Sequence, residues 1–177
     1  MINEPTNACA RTNTHFLTLT NTSLTLRAAT TEDEPLLFEI YASTRLPELA
    51  FVPWDDNQKL AFMKMQFDVR QQQYRNAYRD AISSIILQQG QPIGALLVEI
   101  REDAIALIDI ALLPAHRNSG VGGQVVRALM DEAKVAGKMI RLYVFGTSAA
   151  VRFYERLGFR KVSDDGAYLE MTWQPSQ

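Results

Sequence analysis

Residues 105–123 read IALIDIALLPAHRNSGVGG, and the change of pattern inside that stretch sets the architecture around it. Residues 105–113 form an aliphatic run rich in β-branched side chains and stopped by Pro114, the composition of a buried strand. Downstream, Val125, Val126, Leu129, Met130 and Ala133 recur at the spacing of one helix face. Between the two lies Arg117-Asn118-Ser119-Gly120-Val121-Gly122-Gly123. A strand leading through glycines into a helix N-terminus makes a site for anions. The glycines let backbone N–H groups turn toward one point, and the helix dipole places partial positive charge there. Arg117 adds a forked cation of a shape suited to phosphate oxygens. The stretch predicts a phosphorylated ligand.

Two common phosphate loops do not fit. The dinucleotide fingerprint needs Gly-x-Gly-x-x-Gly, whereas the spacing here is Gly120-x-Gly122-Gly123. A Walker loop ends in Gly-Lys-Ser/Thr, and Gly122-Gly123-Gln124 has neither the lysine nor the hydroxyl. What remains is Arg-x-x-Gly-x-Gly, filled by Arg117, Gly120 and Gly122. A second motif follows at Thr147-Ser148-Ala149-Ala150-Val151-Arg152-Phe153-Tyr154-Glu155-Arg156-Leu157-Gly158-Phe159. Thr147 or Ser148 can cap a helix, Gly158 can end it, and Phe153 and Leu157 share a face. Ala150, Phe153, Tyr154, Gly158 and Phe159 match the pattern Asn-x-x-Ala-x-x-Phe-Tyr-x-x-x-Gly-Phe, with Thr147 where asparagine is usual. In this order and at this separation, the two motifs resemble the acetyl-coenzyme A loop and the C-terminal motif of the GCN5-related N-acetyltransferase (GNAT) superfamily. The resemblance runs over residues 24–173.

Composition agrees with an enzyme of one domain. A chain of 177 residues, 47% of them hydrophobic, can bury one substantial core. A net charge of −2 offers no broad basic surface for nucleic acid. The single Cys9 excludes an intramolecular disulfide, and with only His15 and His116 no metal cluster is expected. No apolar stretch reaches the ~20 residues of a membrane helix. Residues 1–14 lack the basic-then-apolar pattern of a signal peptide. A cytoplasmic protein without nucleic-acid or membrane partners is the expectation.

Residues 1–22, rich in Asn and Thr, read as a flexible tail ahead of a domain at 23–177. A short strand around Leu24 and Leu26 precedes an acidic helix start at Glu32, Asp33 and Glu34, with Leu36, Leu37, Ile40 and Tyr41 as its stripe. Residues 46–56 read as a loop. A second helix over 57–76 takes Leu60, Met63, Phe67, Val69 and Tyr74 as packing residues. A hairpin over 83–101 turns at Gln89-Gly90-Gln91-Pro92. Strands at 139–145, 159–162 and 167–172 and a helix from Ala150 complete the order β-α-α-β-β-β-α-β-α-β-β. The pattern is α/β of the mixed, α+β kind: a mostly antiparallel sheet with helices on its faces, as the resemblance implies.

The resemblance also implies a site. The strand ending at 109–113 parts from the one at 142–145, and the pantetheine arm lies in the gap, paired with backbone at Ile110, Ala111 and Leu112. The pyrophosphate sits over Arg117, Asn118, Ser119, Gly120, Val121, Gly122 and Gly123, with Ser148 and Phe153 bordering the arm. Tyr154 stands at the usual position of the general acid, and the Leu112 N–H is an oxyanion donor. The strand position at which many members carry a glutamate base is Ala106. Asp109 is the best remaining carboxylate, with Glu48, Asp55 and Asp56 as others. The loop between the first two helices usually walls the acceptor, which places Glu48, Phe51, Trp54 and Asp55 there; Phe51 and Trp54 read equally well as a surface patch. His116 reads as a loop residue on the phosphate side. The implied activity is acetyl transfer from acetyl-coenzyme A to an amine of a small molecule or peptide. The alternatives are a silent acyl-coenzyme A-binding module and an enzyme for longer acyl groups. A homodimer stays open.

Overall fold

The computed structural model describes residues 23–175; residues 1–22, with the expected flexible tail, Cys9 and His15, and residues 176–177 lie outside the described residues. Strands β1 (Leu24–Ala28), β2 (Ala81–Gln88), β3 (Gln91–Ile100), β4 (Ala104–Leu112), β5 (Met139–Phe145), β6 (Arg160–Asp164) and β7 (Tyr168–Trp173) form one sheet in the order β1-β2-β3-β4-β5-β7-β6. Every neighbouring pair is antiparallel except β4 and β5. Four helices complete the described residues: α1 (Glu34–Arg45), α2 (Asp56–Ala77), α3 (Val121–Val135) and α4 (Ala150–Arg156). This is the mixed α/β architecture expected from the sequence, in the expected order.

The helices divide between the two sheet faces as side-chain alternation demands. Val125, Val126, Leu129 and Ala133 of α3 are fully buried against Ile86, Ile105, Leu107, Ile140 and Leu142. Ile85, one residue from Ile86, serves the opposite face, where Ile40 and Tyr41 of α1 and Met63 and Phe67 of α2 are buried. Phe67 meets Phe38 edge-on and Tyr41 at a tilt, each at 5.6 Å between ring centres. The α2 stripe therefore runs through Met63, Phe67 and Tyr74, while Leu60 and Val69 are exposed, a correction to the sequence reading. Residues Leu46–Leu49, expected as plain loop, continue α1 as a 3-10 turn. No helix among the described residues is long and apolar enough to cross a membrane.

One irregularity positions everything that follows. β4 pairs with β3 from Ile105↔Ile100 to Leu112↔Gly94, but the register shifts between Leu97↔Asp109 and Val98↔Leu107, so Ile108 is an extra residue on β4. Such a bulge bends its strand and increases its twist. On the other side, β4 and β5 pair only from Ala104↔Met139 to Leu107↔Leu142. The pairing ends where the bulge begins, and the two strands splay apart beyond it.

Close approach of β3 keeps the free end of β4 in place. A Cβ on Gly94 would lie 2.5 Å from both the Ala111 carbonyl oxygen and Leu112 Cδ2. Gly94→Ala should therefore lower stability by about 1–3 kcal/mol, seen as a fall of several degrees in Tm; an unchanged Tm would show that this end of β4 is free to yield.

Candidate active site

Two grooves meet between the splayed strands. The first, of about 590 Å³, runs over the start of α3 and takes in Ile110, Ala111, Leu112, Arg117, Asn118, Gly120, Gly122, Gly123, Phe153 and Tyr154. The second, about 1100 Å³, opens between β4, β5 and the helices α1 and α2. Ile110, Ala150 and Tyr154 belong to both and form the junction.

Backbone donors define the first groove. Leu113 N donates to Ile93 O toward β3 at 2.9 Å, so alternation turns the N–H and C=O groups of Ile110 and Leu112 toward the splay, where β5 no longer pairs with them. Gly120 ends the loop in the left-handed region at φ +85°, and the first helical hydrogen bond of α3 is Gln124 N to Gly120 O. The amides of residues 121–123 precede that bond and have no acceptor within the helix. No side chain caps them, since the cap residue is itself glycine. A Cβ on Gly122 would come within 3.9 Å of Phe153 Cζ, so the bare glycine keeps a channel open between loop and ring. Val121 points its side chain into the core, and Ser119 Oγ donates to His116 O at 2.6 Å, so these two residues offer backbone only. Arg156, part of the second motif but not among the expected site residues, adds a cation; it lies three residues after Phe153, and that spacing was the available signal.

Arg117 lines this groove but its guanidinium is committed elsewhere. Nε donates to Leu112 O at 2.9 Å, Nη1 to Ser43 O at 3.3 Å and Nη2 to Ser43 Oγ at 2.6 Å. Three of its five N–H donors thus reach β4 and α1.

Tyr154 sits at the junction, 8% exposed, with Phe153 and Phe159 packed edge-on at 5.0 and 5.4 Å. Among the described residues its hydroxyl has no hydrogen-bond partner. Burial pushes the phenol above its ordinary value of about 10, and the negative charge of Asp109 pushes the same way. Asp109 itself lies across the second groove in an ion pair with Arg70, Oδ2 to Nη2 at 2.9 Å. Partial burial works against the Arg70 charge, but Asp109 and the Tyr74 hydroxyl, which accepts from Nε and Nη2, more than offset it, and the net shift is upward. The rings of Tyr41 and Tyr74 flank the guanidinium at 5.4 and 4.9 Å. Facing this charged wall, β5 and β7 present the exposed rings of Phe145 and Tyr168, 5.5 Å apart.

The other expected residues separate. Ser148 lies on the second groove, its Oγ accepting from Ala150 N at 3.2 Å, while the N-cap of α4 is Ala149 and not Thr147 or Ser148 as expected. Glu48 is also there, paired with Arg45 at 2.9 Å. Trp54 and Asp55 lie outside both grooves. Asp55 caps α2, accepting from Gln58 N at 2.9 Å in a reciprocal capping box, and Trp54 packs on Phe62. Ala106 is buried opposite Glu99, whose carboxylate accepts from Arg101 Nε at 2.6 Å. Arg70 and Tyr168 were not among the residues expected at the site, because both come from outside the two motifs.

The comparison with family models matches residues 31–159 to the Acetyltransferase (GNAT) family. The chain belongs to the GNAT acetyltransferase family. Among solved structures it is similar to the PaiA N-acetyltransferase of Thermoplasma acidophilum, determined in complex with coenzyme A, with 18% identity, a TM-score of 0.65, and 86% of this chain and 99% of that one covered. An acetyltransferase from Thermus thermophilus gives 20% identity and a TM-score of 0.63, covering 86% and 97%. The ribosomal-protein-S18-alanine N-acetyltransferase of Escherichia coli gives 21% and 0.58, covering 87% and 95%. At these identities the likeness shows the fold. Among curated protein sequences, none matches this chain. For a GNAT protein the splay, the uncapped α3 start and the channel at Gly122 fit a long ligand carrying phosphates at one end.

The Tyr154 shift has a direct test. Its folded value lies above the unfolded one, so the stability that goes with the neutral phenol is complete below the unfolded value and is lost as pH rises from there through the folded one. Near-ultraviolet titrations of the wild type and Tyr154→Phe should superimpose up to about pH 10 and separate above it. Separation at lower pH would show that the phenol is not shielded.

Proposed function

We propose that the protein is an acetyl-coenzyme A-dependent N-acetyltransferase that acetylates a primary amine of a small molecule or peptide by direct attack. The observation that carries this reading is the junction: the phosphate-ready groove and the acceptor-facing groove share Tyr154.

The amides of residues 121–123, reinforced by the α3 dipole, suit the diphosphate, and the free edge at Ile110 and Leu112 suits the amide-bearing arm. Bound along this path, acetyl-coenzyme A supplies an acetyl group activated as a thioester. The Leu112 N–H donates to the carbonyl oxygen as negative charge develops there. Tyr154 holds a proton on its phenol oxygen, kept there by burial, and gives it to the departing sulfur. The attacking amine must be neutral. Asp109, with one oxygen held by Arg70, takes up the proton of the ammonium form directly or through water, and the second proton of the nitrogen, released after attack, restores the Tyr154 phenol. The Phe145–Tyr168 pair and Glu48 line the approach of a cationic amine before it loses that proton.

Tyr154→Phe should reduce kcat by about a hundredfold or more, measured by thiol release with an amine that the wild type acetylates. Its calorimetric affinity for acetyl-coenzyme A should be unchanged. Unaltered turnover would remove Tyr154 from the chemistry. Wild-type binding without thiol release across an amine panel would favour the silent acyl-coenzyme A-binding module.

A further inference from the structure

The last turn of α1 stands between the two grooves. Thr44 lines the first and Arg45 the second, and the 3-10 turn that continues α1 carries Glu48 to the second groove. This turn needs anchoring, because the last four carbonyls of a helix have no partner within it. The Leu46 N–H takes up Ala42 O. The next carbonyl, Ser43 O, accepts instead from Arg117 Nη1, 74 positions along the chain. Ser43 Oγ donates to Ile40 O at 2.6 Å and accepts from Arg117 Nη2 at 2.6 Å, so its hydrogen-bonding geometry is used in both directions. Through Nε the same guanidinium holds Leu112 O, on the free edge of β4.

We infer that Arg117 is a positioning residue, a clasp that fixes the end of α1, and with it the acceptor wall, to the donor loop and β4, while the phosphates are left to the backbone amides. The inference rests on the donor and acceptor assignment proposed above. Its chemistry is specific to a planar fork: a cation at a helix C-terminus is favoured by the dipole, but only a guanidinium reaches three acceptors on two elements at once. Lysine keeps the charge and cannot span them. A donor that settles on residues 121–123 thereby steadies the wall against which the acceptor is held.

Arg117→Lys and Ser43→Ala test this in the full chain. Hydrogen exchange of the free proteins should speed up by about tenfold or more over residues 44–50 in both variants, with the β5–β7 amides unchanged. Acetyl-coenzyme A affinity by calorimetry should stay within about threefold of wild type for both. In the wild type, acetyl-coenzyme A should slow exchange over 44–50, and in both variants that response should be lost. Wild-type exchange over 44–50 in either variant overturns the clasp. So does affinity weakened tenfold or more in Arg117→Lys alone, which would make the guanidinium a phosphate ligand. A wild type that binds no acetyl-coenzyme A refutes the proposed function instead, and the exchange of the free proteins still decides the clasp.

Discussion

A seven-stranded sheet would ordinarily carry its hydrogen bonds unbroken from edge to edge, and the extra residue Ile108 prevents that here. The bulge turns β4 away from β5 beyond Leu107↔Leu142 and leaves an unpaired backbone edge in the middle of the molecule. Backbone donors and acceptors in such a place need partners. Solvent or an extended ligand with amides of its own can supply them, apart from Leu112 O, which Arg117 already holds. The core does not resist the opening, because Ile140, Leu142 and Val144 keep β5 anchored on the α3–α4 face while Tyr143 and Phe145 on its other face are left as an open wall.

Two helix ends of opposite polarity converge on this opening. The N-terminus of α3 directs free amides and partial positive charge into the first groove. The C-terminus of α1, with partial negative charge, receives the Arg117 guanidinium. On the proposed reading the loop separates two tasks that its sequence seemed to merge: the backbone is left free for an anion while the side chain holds the scaffold. In the second groove, Arg70 and Asp109 are similarly paired, with Tyr41 and Tyr74 flanking the guanidinium.

Local chemistry was legible in the sequence, and long-range pairing was not. The aliphatic run before Pro114, the glycines at 120–123 and the α3 stripe fixed the strand–loop–helix unit, because each signal lies within a few residues of what it specifies. The α2 stripe was harder: that helix is polar on most sides, and the phase that buries Met63 and Phe67 but exposes Leu60 and Val69 is set by the sheet beneath it. Asp55 carried a legible local role as a helix cap, with Gln58 three residues on, and that role is the one its contacts display. The direction of the Arg117 fork depends on Ser43, and the company of Asp109 depends on Arg70; neither partner is near in the chain. The bulge left no local mark, since Ile108 is as apolar as its neighbours.

The central claim is that the splay between β4 and β5 is the donor cleft. Residue-resolved hydrogen exchange, with and without acetyl-coenzyme A, tests it most directly. The account predicts that the ligand slows exchange at the amides of Ile110 and Leu112 and of residues 121–123. Protection that falls elsewhere, with those amides unaltered, would contradict it.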